Sequence, residues 1–166
     1  RRQLKRKYRK PLIVMTPKSL LRHPKCISTI DEISNGTFMD TIDDKNIIPK
    51  NAKRIVLCSG KIYYELIEKR DMLKNTNVAI IRVEQLFPLN IDFIHKLYKK
   101  YNKSEIFWVQ EEPENMGAWT FILSKLRKYD IKLISREESA ATASGSAKDS
   151  LQKQQLIIDQ VFDNIN

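Results

Sequence analysis

Three carboxylates crowd into WVQEEPENMGAWTFI, the stretch from Trp108 to Ile122: Glu111, Glu112 and Glu114 stand around a proline, before Gly-Ala-Trp. Neighbouring carboxylates that are buried raise each other's pKa, which is how acid–base pairs are made. Functional groups in α/β proteins also gather at the ends of parallel strands. Glu111 and Glu112 are therefore weak candidates for acid–base work. A capped turn explains the same residues. Pro113 suits the opening turn of a helix, and acids there are favoured by its dipole. Residue types alone leave both readings open.

Other candidate chemistry is thinner. Ser59-Gly60-Lys61 sits where a strand should meet a helix, a place where backbone N–H groups can hold an anion. A phosphate loop needs a glycine five residues before that Gly-Lys and a hydroxyl after it; neither is present, and GxGxxG occurs nowhere. A plain strand-to-helix turn is the favoured account of Lys61. His23 and His95 are the only histidines, and neither has a second ligand at metal spacing. His95 should lie on a helix surface. Neither histidine belongs to a nucleophile motif, and Cys58 ends an apolar strand as a small buried residue would.

The elements that must position these groups alternate. RIVLCS from Arg54, VAIIRVE from Val78, EIFWVQ from Glu105 and KLIS from Lys132 are strands written as near-continuous apolar runs. LIVMTP, Leu12 to Pro17, is expected as another buried strand, followed by a turn or two of helix ended by Pro24. A short strand is placed near Thr37 and Phe38. Helices are expected to present Ile62, Tyr63, Leu66, Ile67 and Leu73; Ile91, Ile94, Leu97, Tyr98 and Tyr101; and Trp119, Ile122, Leu123 and Leu126. A terminal helix should carry Leu156, Ile157, Val161, Phe162 and Ile165. Connections too long for hairpins predict a mostly parallel sheet covered by helices.

Composition bounds the rest. At 166 residues and 42% apolar content the chain is long enough for a real core. No 18-residue apolar run is present, so no membrane partner is expected. No apolar signal segment is present either, and two distant cysteines suit a reduced cytoplasmic protein. The formal charge is +10, yet residues 1–25 hold ten basic residues and no acid. Elsewhere 20 basic residues meet 20 acidic ones. A nucleic-acid partner is disfavoured by that distribution, because the excess belongs to one arm. The Arg at the first position suggests a piece of a longer polypeptide.

Ordered blocks then carry a resemblance: RKPLIVMTPKSLLRHP from Arg9, LCSGKIYYEL from Leu57, VAIIRVEQLFPL from Val78, WVQEEPENMGAW from Trp108 and ISREESAATASGSAK from Ile134. Together they resemble the C-terminal region of the decarboxylating component of 2-oxoglutarate dehydrogenase. The resemblance covers the chain except for about Ser28 to Lys53. It implies the α/β fold of a transketolase-type C-terminal domain, a five-stranded, mostly parallel sheet covered by helices. Residues 11–166 would form this domain, and residues 1–10 would be a basic linker or helix from a preceding one.

The implied enzyme is an oxidoreductase of a multienzyme complex in the tricarboxylic acid cycle and central carbon metabolism. It uses thiamine diphosphate and magnesium, and passes a succinyl group to the lipoyl arm of dihydrolipoyl succinyltransferase. It would be a homodimer, in bacterial cytoplasm or the mitochondrial matrix. The cofactor motif, GDG followed by paired asparagines, is not in this sequence. This fragment is therefore expected to bind no cofactor and to be inactive alone.

In that frame Glu111, Glu112 and the Gly117-Ala118-Trp119 turn belong to a structural element at a domain or dimer interface. Arg9, Lys10, Lys18, Ser19, Arg22, Lys61 and Arg136 are the interface or effector-binding candidates, with Arg9 and Lys10 suited to phosphate. Ser135 replaces a glycine of some relatives, and Lys148 precedes Asp149 where a histidine is usual. Those departures argue against carrying a family ligand role over to that loop. The competing reading is a free-standing α/β module that recruits nucleic acid or an acidic protein through its basic arm.

Overall fold

A computed structural model describes residues 1–165. The chain divides into two compact units, Arg1–Met39 and the remainder from Asp40.

The first unit holds a short 3-10 turn, Lys18–Leu20, and helix α1, Ile30–Ser34. A capping box starts α1: the Glu32 N–H donates to Thr29 Oγ1 at 3.2 Å, and the Thr29 N–H donates to Glu32 Oε2 at 2.8 Å. The strand expected over Leu12 to Pro17 is not formed. Leu12, Ile13, Val14 and Met15 are 69–90% exposed. A strand buried on both faces needs partner strands, and this unit offers none; an apolar run records the need for burial without its partner.

The second unit is built on a five-stranded sheet. Its strands are β1 (Thr41–Ile42), β2 (Arg54–Cys58), β3 (Val78–Val83), β4 (Glu105–Pro113) and β5 (Lys132–Arg136). The spatial order is β1-β3-β2-β4-β5; β1 runs antiparallel to β3, and every other pair is parallel. This is the five-stranded, mostly parallel α/β architecture expected of a transketolase-type C-terminal domain. The antiparallel edge strand lies at Thr41–Ile42, not near Thr37 and Phe38.

Alternation along the strands divides the core in two. Ile55, Leu57, Ala79, Ile81, Ile106 and Trp108 face α3 (Ile91–Lys100) and α4 (Trp119–Leu126). Val56, Cys58, Val78, Ile80, Phe107 and Val109 face α2 (Ile62–Leu73) and α5 (Ala147–Phe162). Period-two side chains with both faces covered explain why these strands read as continuous apolar runs.

Two helix faces differ from the periodic expectation. In α2 the buried residues are Ile62, Tyr64, Leu66 and Arg70, whereas Leu73 is half exposed. In α5 they are Ile157, Ile158 and Val161, with Leu156 exposed and Ile165 beyond the helix end. Polar anchors set both rotations. Arg70 is drawn inward by Asp44, and the Arg54 guanidinium donates to the carbonyl oxygens of Val161, at 2.6 Å, and Gln160, at 3.2 Å.

Candidate functional site

One cluster of polar groups in the second unit, Lys61, Glu65, Glu111 and Arg136, lies at the carboxyl ends of β2, β4 and β5. Beyond β2, Gly60 turns the chain at φ +80° and Lys61 opens α2 without a side-chain cap. A cation is disfavoured at a helix N-terminus. Two acids compensate Lys61 there. It pairs with Glu65 at 3.2 Å and with Glu111, which projects from the end of β4.

From there a chain of polar contacts crosses two helices. Gln154 of α5 donates to Glu65 Oε2 at 2.8 Å, and Arg136, the last residue of β5, donates to Gln154 Oε1 at 3.3 Å. Lys61, Glu111 and Arg136 thus line one groove of about 580 Å³ between α2 and α5. The strand order reverses between β2 and β4, the crevice in which open α/β sheets place ligands.

The capped-turn reading of the carboxylates does not hold. β4 continues through Glu111, Glu112 and Pro113, and α4 starts only at Trp119. The pairing with β5 shifts register between Val109 and Pro113, so β4 carries extra residues there and alternation breaks. Glu111 turns to Lys61, Glu112 is exposed and Pro113 is buried.

Gln110 organises this end of β4. Its Oε1 accepts from Trp108 Nε1 at 2.9 Å and from the Trp119 N–H at 3.1 Å. Its Nε2 donates to the carbonyls of Glu112, Pro113 and Met116 at 2.8–3.3 Å. Gly117, at φ +67°, closes the turn against that amide; a Cβ there would lie 2.9 Å from Gln110 Oε1. Sequence reading missed Gln110, Glu65 and Gln154. The glycine seven residues after Gln110 was the one local signal for the first of them.

The electrostatics of the pair follow from burial. Burial lowers the Lys61 pKa, but Glu111 and Glu65 outweigh it and hold the ammonium above its ordinary value. Burial holds the Glu111 carboxyl above the usual range against the pull of Lys61. A lysine raised in the folded state contributes stability that is present at neutral pH and lost as pH climbs past about 10.4 through the folded value. Glu111 itself contributes most when protonated, and less as pH rises through its own folded value. Glu111→Gln is therefore expected to move the onset of alkaline unfolding to lower pH, read by tryptophan fluorescence.

Lys18, Ser19, Arg22, Arg9 and Lys10 all belong to the first unit, where each is exposed. His95 is half-buried rather than superficial, because one ring nitrogen lies 2.9 Å from the Tyr129 hydroxyl. Among the described residues no group of three His, Cys, Asp or Glu side chains is placed to hold a metal ion.

Cys58 is fully buried and its thiol is pushed up to about 12 by burial, while Cys26 is exposed. Only the thiolate attacks disulfide reagents. Thiol titration is expected to find Cys26 reacting at once and Cys58 only on unfolding. A fast reaction at Cys58 in the folded protein contradicts this core.

Fold and groove together define an open, mostly parallel α/β domain in which Lys61, Glu111 and Arg136 line a groove at the end of the sheet where the strand order reverses. Residues 27–162 match the family described as 2-oxoglutarate dehydrogenase C-terminal. The chain belongs to that family. It is 44% identical, over 99% of its length, to the 2-oxoglutarate dehydrogenase E1 component of Rickettsia typhi. It is 42% identical, over 96% of its length, to the protein of that name from Haemophilus influenzae. Against the 2-oxoadipate dehydrogenase complex component E1 of Rattus norvegicus it is 40% identical over 98% of its length. The chain spans 18–19% of the length of these curated relatives. No helix among the described residues is long and apolar enough to cross a membrane.

Proposed function

We propose that this chain is the C-terminal domain of a 2-oxoglutarate dehydrogenase E1 component. That enzyme decarboxylates 2-oxoglutarate on thiamine diphosphate with magnesium and hands the succinyl group to the lipoyl arm of dihydrolipoyl succinyltransferase. The supporting observation is the 44% identity to the Rickettsia typhi E1 component along 99% of the chain. The compartment follows the enzyme: bacterial cytoplasm or the mitochondrial matrix.

The domain's share is structural. The cofactor supplies the electron sink for decarboxylation, and this chain's residues supply contact surface. Leu12 to Met15, at 69–90% exposure, form an apolar strip that fits burial against the rest of a longer chain or a second copy in a homodimer. Residues 1–10 serve as the basic connection to a preceding domain. Arg9, Lys10, Lys18, Ser19 and Arg22 are the contact and effector candidates of the first unit.

A free-standing module recruiting nucleic acid has less support. Arg1 donates to the carbonyls of Ser34 and Gly36 at 2.7 and 2.9 Å, and Arg2 lies 3.9 Å from the Phe38 ring centre, so part of the arm is used within its own unit.

The test is an assay of the full-length protein with thiamine diphosphate and magnesium. It follows ferricyanide reduction with 2-oxoglutarate and with 2-oxoadipate, beside residues 1–166 alone. Turnover of 2-oxoglutarate by the full-length protein, and none by the fragment, is expected. Preference for 2-oxoadipate overturns the substrate; turnover by the fragment overturns the division of labour.

A further inference from the structure

Four arginines of the second unit are buried or partly buried: Arg54, Arg70, Arg82 and Arg136. Three have a carboxylate. Arg54 lies 3.9 Å from Glu105, Arg82 lies 2.9 Å from Glu84, and Arg70 pairs with Asp44. Arg136 makes no ion pair among the described residues, and Asp149 acts on it only at longer range. Its guanidinium donates only from Nη2, to Ser150 Oγ at 3.5 Å and Gln154 Oε1 at 3.3 Å, both long contacts to neutral oxygens. Its Nε is buried without any partner. A half-buried cation with no carboxylate in ion-pair contact and with an orphaned donor is costly, and such a group calls for an explanation.

A cleft opens beside it. Between the 137–145 loop and α5 lies a cavity of about 570 Å³ that Arg136 lines, a size suited to a small molecule. Thr142 offers a hydroxyl, and Leu156 and Ile157 an apolar wall. The acids at the rim make no ion pair with Arg136: Asp149 attracts it only at longer range while bonding to Lys153, at 2.9 Å, and to Ser144, and Glu137 and Glu138 are exposed. A single water could satisfy the N–H but would leave the guanidinium without an ion-pair partner.

We propose that this cleft binds a small organic oxyanion, a carboxylate or a phosphate ester, on the guanidinium of Arg136. The planar fork of arginine suits either group. The site is separate from the proposed decarboxylation, so its test reads binding rather than turnover.

The experiment is calorimetric titration of the full-length, cofactor-saturated protein with inorganic phosphate and with butyrate, at constant ionic strength in chloride. At least one probe is expected to bind, and which one does separates a phosphoryl from a carboxyl ligand. Arg136→Gln is expected to weaken that binding by about tenfold or more. Ala143→Trp, an exposed loop position lining the cleft, is expected to block it while leaving Arg136 in place. If neither probe binds, or if Ala143→Trp binds like the native protein, the site does not exist. Should Arg136→Gln fail to fold, the Ala143→Trp result decides alone.

Discussion

Replacing Arg70 by Met is expected to lower the stability of the second unit by about 3–5 kcal/mol, the cost of leaving a buried charge without its partner. Both side chains of the Arg70–Asp44 pair are only 4% exposed. Asp44 also accepts from the Ile80 N–H at 2.9 Å and the Asn46 N–H at 2.9 Å, and Arg70 donates to the Val78 carbonyl at 3.4 Å. The pair therefore ties the connection after β1 to α2 and β3. A methionine fills the space of the arginine stem but leaves the Asp44 carboxylate in an apolar site.

Urea unfolding followed through Trp108 and Trp119 measures the loss. Adding Asp44→Asn removes the orphaned charge, so the double variant is expected to recover part of it, as groups in direct contact do. Additive losses from the two substitutions would show that the pair is not coupled.

Gln110→Leu is the second large effect, expected at about 3 kcal/mol or more, because each buried group left without its hydrogen bond costs about 1–3 kcal/mol. Five contacts converge on this 4%-exposed amide. Leucine matches its volume and satisfies none of them. Trp108 Nε1 and the Trp119 N–H lose their acceptor together, so tryptophan emission should change at the same urea concentration at which the turn opens. Gln110→Glu is the sharper control. It keeps the acceptor for both tryptophans, while its second oxygen faces three carbonyls. A stability equal to the native protein's in either variant would mean that Gln110 does not hold the turn.

The same residues mark the boundary between what is local and what is not. β2, β3, β4 and β5 were legible in the sequence, because strands covered on both faces must be apolar at every position, and their helical connections impose parallel order. The start of α2 after Gly60 and the buried Cys58 followed from the same pattern. The family resemblance was legible too, in ordered blocks rather than in any single motif.

Tertiary structure alone decided the rest. Periodicity predicts burial for Leu12 to Met15, but a strand exists only where another strand meets it, and none does in that unit. The edge strand at Thr41–Ile42 is too short to show a period. Glu111 was read with the acids beside it, yet its partner Lys61 lies 50 residues away, and Asp44 reaches Arg70 across 26. Arg136 was visible as a residue, but its unpartnered Nε was not. Hydrophobic burial repeats along the chain at the period of its element, whereas a polar side chain is satisfied by whichever group the completed fold brings within about 3 Å.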